Sequence, residues 1–265
     1  MIVFPILSVY SDELTSNVRE AAVKFLRISP NLKSLGYSVD SGKSIFGFIV
    51  DSGKEKKIPY NFGDKEKYLI TTAADDSSRI IAQIEDIASP LKNETNFSDT
   101  SLCFYEPAND GKRNILIKNY SANAAVVIVI VLKISINSVY TPVDDVYNAI
   151  DSALNDDISP DEIINTKRDF FIIGGNIKAG RTAAIDFIVN KDDRRITVTG
   201  GDTVSELGLK IYSNDTVALN KKKAPPFSLE ISDVFTDCLA ECRNLSPRSY
   251  GDGVAVVTFF NNNQR

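Results

Sequence analysis

Histidine is absent from all 265 residues. That excludes Ser-His-Asp and Cys-His catalysis, and every histidine metal site. It also removes the usual general base near neutral pH, leaving carboxylate and lysine chemistry open. Tryptophan is missing too, and methionine occurs once. The three cysteines, Cys103, Cys238 and Cys242, are an odd number without a C-x-x-C pair, so a disulfide scaffold is not expected and a reducing compartment fits. Cys238 and Cys242 share one face of an expected helix, a spacing that could place two metal ligands, but no third or fourth partner is evident. They read as small apolar core residues.

Long hydrophobic runs are also lacking. The longest, Ala124 to Leu132, is nine residues, where a membrane helix needs about twenty. The start, MIVFPILSVY, has neither a basic region nor a small-residue cleavage site, and is expected to be a buried strand rather than a secretion signal. No membrane partner is expected. Dense positive charge is missing as well: the net charge is −5 and Lys221-Lys222-Lys223 is the densest basic run. Direct nucleic-acid binding is therefore not expected.

What is present is a soluble globular composition, 43% hydrophobic and 25% charged. GYSVDSGKS, residues 36–44, looks like a phosphate-binding loop. Five residues separate Gly36 from Gly42, one too many, and the apolar run Ile45–Val50 next to it has strand composition rather than helix composition. Val-Asp-Ser-Gly-Lys recurs at 50–54. Asp-Ser-Gly is turn chemistry, so two turns around a short strand, a meander, are expected.

Strands are expected at Ile2–Tyr10, Ile45–Val50, Tyr68–Thr72, Phe170–Ile173 and Val254–Phe260. Hairpins are expected from Leu102–Tyr105 with Asn114–Lys118, and from Ala183–Asn190 with Arg195–Thr199. The β-branched run Ala124–Leu132 reads as a central strand buried on both faces. Helices are expected at Asp12–Arg27, Asp76–Ala88, after the Thr141-Pro142 cap, after the Ser159 and Thr203 capping boxes, and at Asp233–Arg243. A polar loop is expected up to Ser228. The fold class is α+β, with mixed, mostly antiparallel sheets and short helices packed on them, in two subdomains, 1–137 and 138–265.

Candidate chemistry is thin. Gly174 to Arg181 is glycine-rich, with Lys178 and Arg181 as charge partners for a phosphate; a wide bend or bulge is the plainer account. The pairs Asp75-Asp76, Asp144-Asp145, Asp156-Asp157 and Asp192-Asp193 are explained by capping and solvation rather than by a metal. No catalytic, cofactor-binding or metal residue is assigned, and no cofactor is expected.

Residues 139–260 carry a pattern of elements: the helix PVDDVYNAIDSAL, the strands AAIDFIVNKDDRRITVTGG, the turn SELGL, then SLEISDVFTDCLAECRNLSPRSYGDGVAVVTF. This stretch resembles the phage tail sheath-like proteins. The resemblance implies a structural virion subunit, not an enzyme, assembled in the host cytoplasm into a ring or tube. Its partners would be its own copies and other tail proteins. The apolar segments Ile2–Tyr10 and Val254–Phe260 are candidates for pairing with a neighbour's sheet edge. Two alternatives stay open: an enzyme using Asp, Glu and Lys on a phosphorylated small molecule near Gly174–Arg181, and a monomeric binding module.

Overall fold

The computed structural model describes residues 6–76, 78–85, 99–134, 142–155, 162–180, 183–213, 216–231, 238–248 and 252–262. Two helices appear among them, α1 (Ile6–Ser34) and α2 (Asp144–Asn155). The strands of the first half are β1 (Tyr37–Val39), β2 (Ile45–Val50), β3 (Glu55–Phe62), β4 (Tyr68–Ala74), β5 (Ile80–Ile84), β6 (Thr100–Tyr105), β7 (Gly111–Asn119) and β8 (Ala125–Ile134). Those of the second half are β9 (Glu162–Ile164), β10 (Ile172–Ile177), β11 (Ile185–Val189), β12 (Arg195–Gly200), β13 (Leu207–Ser213), β14 (Thr216–Lys223), β15 (Phe227–Glu230), β16 (Cys238–Asn244) and β17 (Gly253–Asn262).

One ten-stranded sheet organises the rest, in the order β15-β12-β17-β10-β2-β8-β4-β6, with β1 on β8 and β9 on β17. The ladders within it are antiparallel. It draws strands from both sides of residue 137, joined where β2 pairs with β10. Side-chain alternation then sorts three cores. Val126, Ile128, Ile130 and Leu132 of β8 pack under the helices, with Phe25 of α1 and Ile150 of α2. Val127, Val129 and Val131 face the three-stranded sheet β3-β7-β5. Farther along the same face, Ala255, Val257 and Phe259 of β17 pack against the four-stranded sheet β11-β16-β13-β14. The β8 run is thus a central strand buried on both faces, as its unbroken apolar character requires.

Several expectations are corrected. From Ile6 onward the first apolar segment is helix, continuous with the stripe Val18, Ala21, Ala22 and Phe25; extending a helix already formed costs far less than starting one. Residues 1–5 lie outside the described part. The helix also runs through Pro30. It ends at Ser34, and just beyond it Gly36, with φ +78°, takes the left-handed conformation of a helix C-terminus, its N–H donating to Lys33 O at 3.0 Å. Within the helix expected at Asp76–Ala88, Ile80–Ile84 is strand β5, burying Ile80, Ala82 and Ile84 at every second position, and residues 77 and 86–88 lie outside the described part; a short apolar run does not decide between the two periods. The helix expected at Asp233–Arg243 is strand β16 from Cys238 onward, with Cys238, Ala240 and Cys242 inward and Leu239 outward. Residues 232–237 lie outside the described part.

The Ser159 capping box lies outside it too, and the chain resumes in strand β9 at Glu162. The Thr203 box makes a turn closed by Val204 N–H to Gly201 O, not a helix. The supposed loop to Ser228 contains the β13–β14 hairpin. Strand β10 is unbroken through Gly174-Gly175, in continuous register with β17.

Both expected hairpins, and the expected meander, are instead crossings between layers. β6 lies in the large sheet and β7 in the three-stranded one; β11 pairs with β16 while β12 pairs with β15 and β17; β2 and β3 belong to different sheets. Turn chemistry at Gly53, with φ +67°, reverses the chain without making its flanking strands partners. The architecture is mostly antiparallel β, with the two helices on one face of the large sheet.

Candidate functional site

The phosphate-loop lookalike is a bulge. β1 and β2 lie along the same side of β8, Val39 opposite Leu132 and Ile45 opposite Ile130. Between those pairs the five residues Asp40–Ser44 stand opposite Val131 alone. Asp40 N–H donates to Val131 O at 3.0 Å, and Val131 N–H donates to Ser44 O at 2.8 Å. The bulge folds onto β10: Gly42 N–H reaches Asn176 O and Ser44 N–H reaches Gly174 O, each at 2.9 Å. The amides a phosphate would need are thereby spent. Gly42, at φ +77°, makes the reversal.

The second glycine motif explains itself here. A Cβ on Gly175 would lie 1.6 Å from Gly42 O, and one on Gly174 would lie 2.7 Å from Ala255 O. Bare backbone at 174–175 is what lets the bulge sit down on the sheet. The two segments weighed separately as phosphate sites are one packing contact. Lys178 is exposed at the end of β10, and Arg181 lies outside the described residues.

The bulge forms one wall of a cleft of about 720 Å³ between the large and three-stranded sheets. Two tyrosine–carboxylate pairs line it. Tyr60 Oη donates to Asp40 Oδ2 at 2.5 Å, and Tyr68 Oη donates to Glu66 Oε2 at 2.6 Å. Ser41 N–H donates to Asp40 Oδ1 at 2.8 Å, and Glu66 is ion-paired with Lys133. Burial raises the Asp40 carboxyl above its ordinary range against these hydrogen bonds. Burial works the same way on Glu66, but there the Lys133 and Tyr68 hydrogen bonds win and hold it low. Lys43, on the bulge, is pulled down by desolvation and partly restored by Asp186. Burial and the neighbouring Asp40 raise the Tyr60 hydroxyl. Sequence reading missed Asp40, Tyr60, Glu66 and Tyr68, which are brought together by two strands, the turn between them and a bulge.

The acidic pairs separate into individual roles. Asp75 is buried and accepts from Ser78 Oγ at 2.5 Å, while Asp76 pairs with the buried Lys24 at 3.0 Å. Asp193 is buried too, ion-paired with Arg168 and accepting from Asn165 Nδ2 at 2.7 Å, so solvation does not explain it. The Arg168 guanidinium lies 3.7 Å from the Phe259 ring centroid. Asp144 accepts from Ser29 Oγ at 3.3 Å. Asp145 is 3% exposed and its Oδ2 has no hydrogen-bond partner; burial, then Asp202 and Asp144, push its carboxyl up to about 6. Asp156-Asp157 lie outside the described residues. No group of three or more His, Cys, Asp or Glu among those residues is placed to hold a metal. Cys242 is fully buried and its thiol is pushed up to about 12.

Two apolar patches face solvent. On the outer face of the four-stranded sheet, Ile188, Leu239, Tyr212 and Val217 stand in register across β11, β16, β13 and β14. On β6, at one end of the large sheet, Leu102 and Phe104 point outward on the helix side. The exposures of Ile188, Leu239, Val217, Leu102 and Phe104 run from 41% to 51%, high for large apolar side chains this close together. The terminal strand β17, by contrast, is internal, paired within the chain to β10 and β12. The expected strand exchange is overturned for Val254–Phe260, and Ile6–Tyr10 is helix rather than strand; residues 2–5 lie outside the described part. No described helix is long and apolar enough to cross a membrane.

No protein-family model matches the chain. No curated protein matches it in sequence. Among solved structures it is similar to PirA, at 9% identity and TM-score 0.23 over 34% of this chain and 93% of that one. It is also similar to AerE from Microcystis aeruginosa, at 8% identity and TM-score 0.21 over 80% and 84%. A third similarity is to the tandem CBM51 modules of a family 98 glycoside hydrolase from Streptococcus pneumoniae, at 14% identity and TM-score 0.25 over 82% and 83%. At these scores the likenesses carry no argument about fold or function, and the chain is described by its own geometry.

Proposed function

We propose that this chain is a structural assembly subunit that joins copies of itself head to tail, in the setting its sheath-like second half implies, a ring or tube of a phage tail. The observation that carries the reading is the placing of the two apolar patches. β6 ends the large sheet on one side, and the four-stranded sheet packs on the strands toward its other end. A contact between two different patches does not close on itself as a two-fold dimer does; it propagates into a ring or filament.

Two of the sheet edges argue for faces rather than strand addition as the joining surface. β14 is lined by Lys221, Lys222 and Lys223, and β15 is four residues long, both features that discourage further strands. The four-stranded face measures about 20 Å by about 20 Å from strand spacing and rise. One such contact is small, below the roughly 1,200 Å² of total burial of a stable pair. Affinity would then come from repetition in an array. In this reading the chain needs no cofactor or metal and carries out no reaction.

Light scattering and negative-stain images of the purified chain, over a wide concentration range, test it. Concentration-dependent rings or tubes are expected, and Leu239→Asp is expected to abolish them. A strict monomer at every concentration, unchanged by Leu239→Asp, would overturn the proposal.

A further inference from the structure

The cleft beside the bulge does nothing in the assembly reading, yet it is built. We propose that it binds a small, uncharged, polyhydroxylated ligand, a sugar or polyol, through Asp40, Glu66 and Lys43. The inference rests on the cleft alone and stands apart from self-association.

Size comes first. About 720 Å³ falls within the range of small-molecule sites. Charge comes next. Asp40, Glu66 and Asp110 bring negative charge to the lining, and Lys43 and Lys133 bring positive charge. The two signs nearly cancel, and Glu66 and Lys133 are already paired, so the cleft offers neither an anion nor a cation a dominant counter-charge to repay its desolvation, a cost that a neutral ligand does not carry. Such a ligand must also donate and accept, because the lining does both. A carboxylate accepts only and an ammonium donates only. Vicinal hydroxyls satisfy both kinds of group at once; an apolar or purely accepting ligand leaves one kind dry and unpaired.

The carboxylates are held rather than loose. Asp40 is fixed by Tyr60 and Ser41, and Glu66 by Tyr68 and Lys133. Each carboxylate oxygen still has acceptor capacity after these bonds. A preset acceptor geometry lowers the cost of ordering on binding. Tyr60 and Tyr68 are further braced, their ring centroids 6.4 Å apart and Gly63 N–H donating to Tyr68 Oη at 2.9 Å. Lys43 has no comparable brace. It rides on the bulge that Gly175 seats, which fixes its backbone, and the Asp186 carboxylate attracts its ammonium.

Saturation-transfer NMR on the full chain tests this with glucose, galactose, mannose and N-acetylglucosamine at millimolar concentration, and with inorganic phosphate and putrescine as charged probes. Saturation transfer to at least one sugar is expected, with none to phosphate or putrescine. Lys43→Ala, an exposed change that spares the fold, is expected to weaken the bound sugar about ten-fold, the size of one lost charged hydrogen bond. Asp40→Asn is expected to weaken it similarly, with circular dichroism confirming the fold. No transfer to any of the four sugars from the folded chain overturns the proposal. So does binding that Lys43→Ala and Asp40→Asn both leave unchanged, or a preference for phosphate or putrescine.

Discussion

The carbonyl oxygen of Gly42 rests where a side chain on Gly175 would start, 1.6 Å from the Cβ that residue lacks. Substitution at the two ends of this contact should differ. Gly175→Ala forces backbone against backbone, and no flexible side chain is there to yield. A loss of about 3 kcal/mol is expected in urea denaturation, the upper end of overpacking costs. Gly42→Ala meets open space and suffers only from its φ of +77°, a loss of about 1 kcal/mol. Equal losses at the two sites would contradict the contact.

Asp145 gives stability a pH dependence of unusual sign. Its folded carboxyl is raised to about 6 from 3.8, so the folded chain holds this proton more tightly than the unfolded one. The contribution is fully present below about pH 4, is lost as pH rises through about 6, and is flat above. The groups that face it and oppose its charge are Asp202 and Asp144. Asp145→Asn should therefore stabilise the chain at pH 7.5 by about 2 kcal/mol, with little difference at pH 4. Denaturation of both proteins at four pH values checks this; a variant weaker than the parent at pH 7.5 would refute it.

Arg168 and Asp193 are both buried, and burial opposes the charged form of each. Removing one partner strands the other. Asp193→Ala should cost about 3–5 kcal/mol and also empty the Asn165 and Asn190 hydrogen bonds. The neighbouring Asp192→Ala, at an exposed turn position, should change stability by less than about 0.5 kcal/mol. Thermal melts of the two variants make the comparison.

Head-to-tail joining makes a mixing experiment decisive. Leu239→Asp disables one patch and Phe104→Asp the other, so each variant alone should stay monomeric. Mixed, each supplies the patch the other lacks, and because one contact alone is small, a weak two-subunit species should appear in light scattering only at the highest concentrations and grow no further. A two-fold contact of the four-stranded face with itself would instead leave Phe104→Asp assembling as the parent does.

Legibility in the sequence followed the number of faces each segment buries. β8 was plain because nine consecutive apolar residues admit few alternatives. The α2 stripe was plain because 3.6-residue spacing held for three turns, although the helix begins at Asp144 rather than at the expected Pro142. β5 and β16 were misread because Ile80, Ile81 and Ile84, or Cys238, Leu239 and Cys242, satisfy a helical period as well as they satisfy alternation. What decided each was the sheet it joins, which is not local information. The turn at Gly53 and the reversals within the two expected hairpins were correctly placed but their consequence was not, since the same turn serves a hairpin and a corner between layers. The cleft was the least legible part: Asp40, Tyr60, Glu66 and Lys133 come from separate stretches, and only Asp40 and Lys43 stood in a segment that drew attention.

Because β8 is apolar on both faces, sliding it by one residue would trade Ile128 and Ile130 for Val127 and Val129 with little hydrophobic cost, and its own pattern does not resist the slip. Something else must index it. The five residues Asp40–Ser44 clasp Val131 at both its amide and its carbonyl, while their far side locks into the notch at Gly174-Gly175. Those bonds reach backbone that every residue of β8 offers alike, so the loop clamps the strand once it is aligned, and the polar end at Lys133, paired with Glu66, marks which alignment that is.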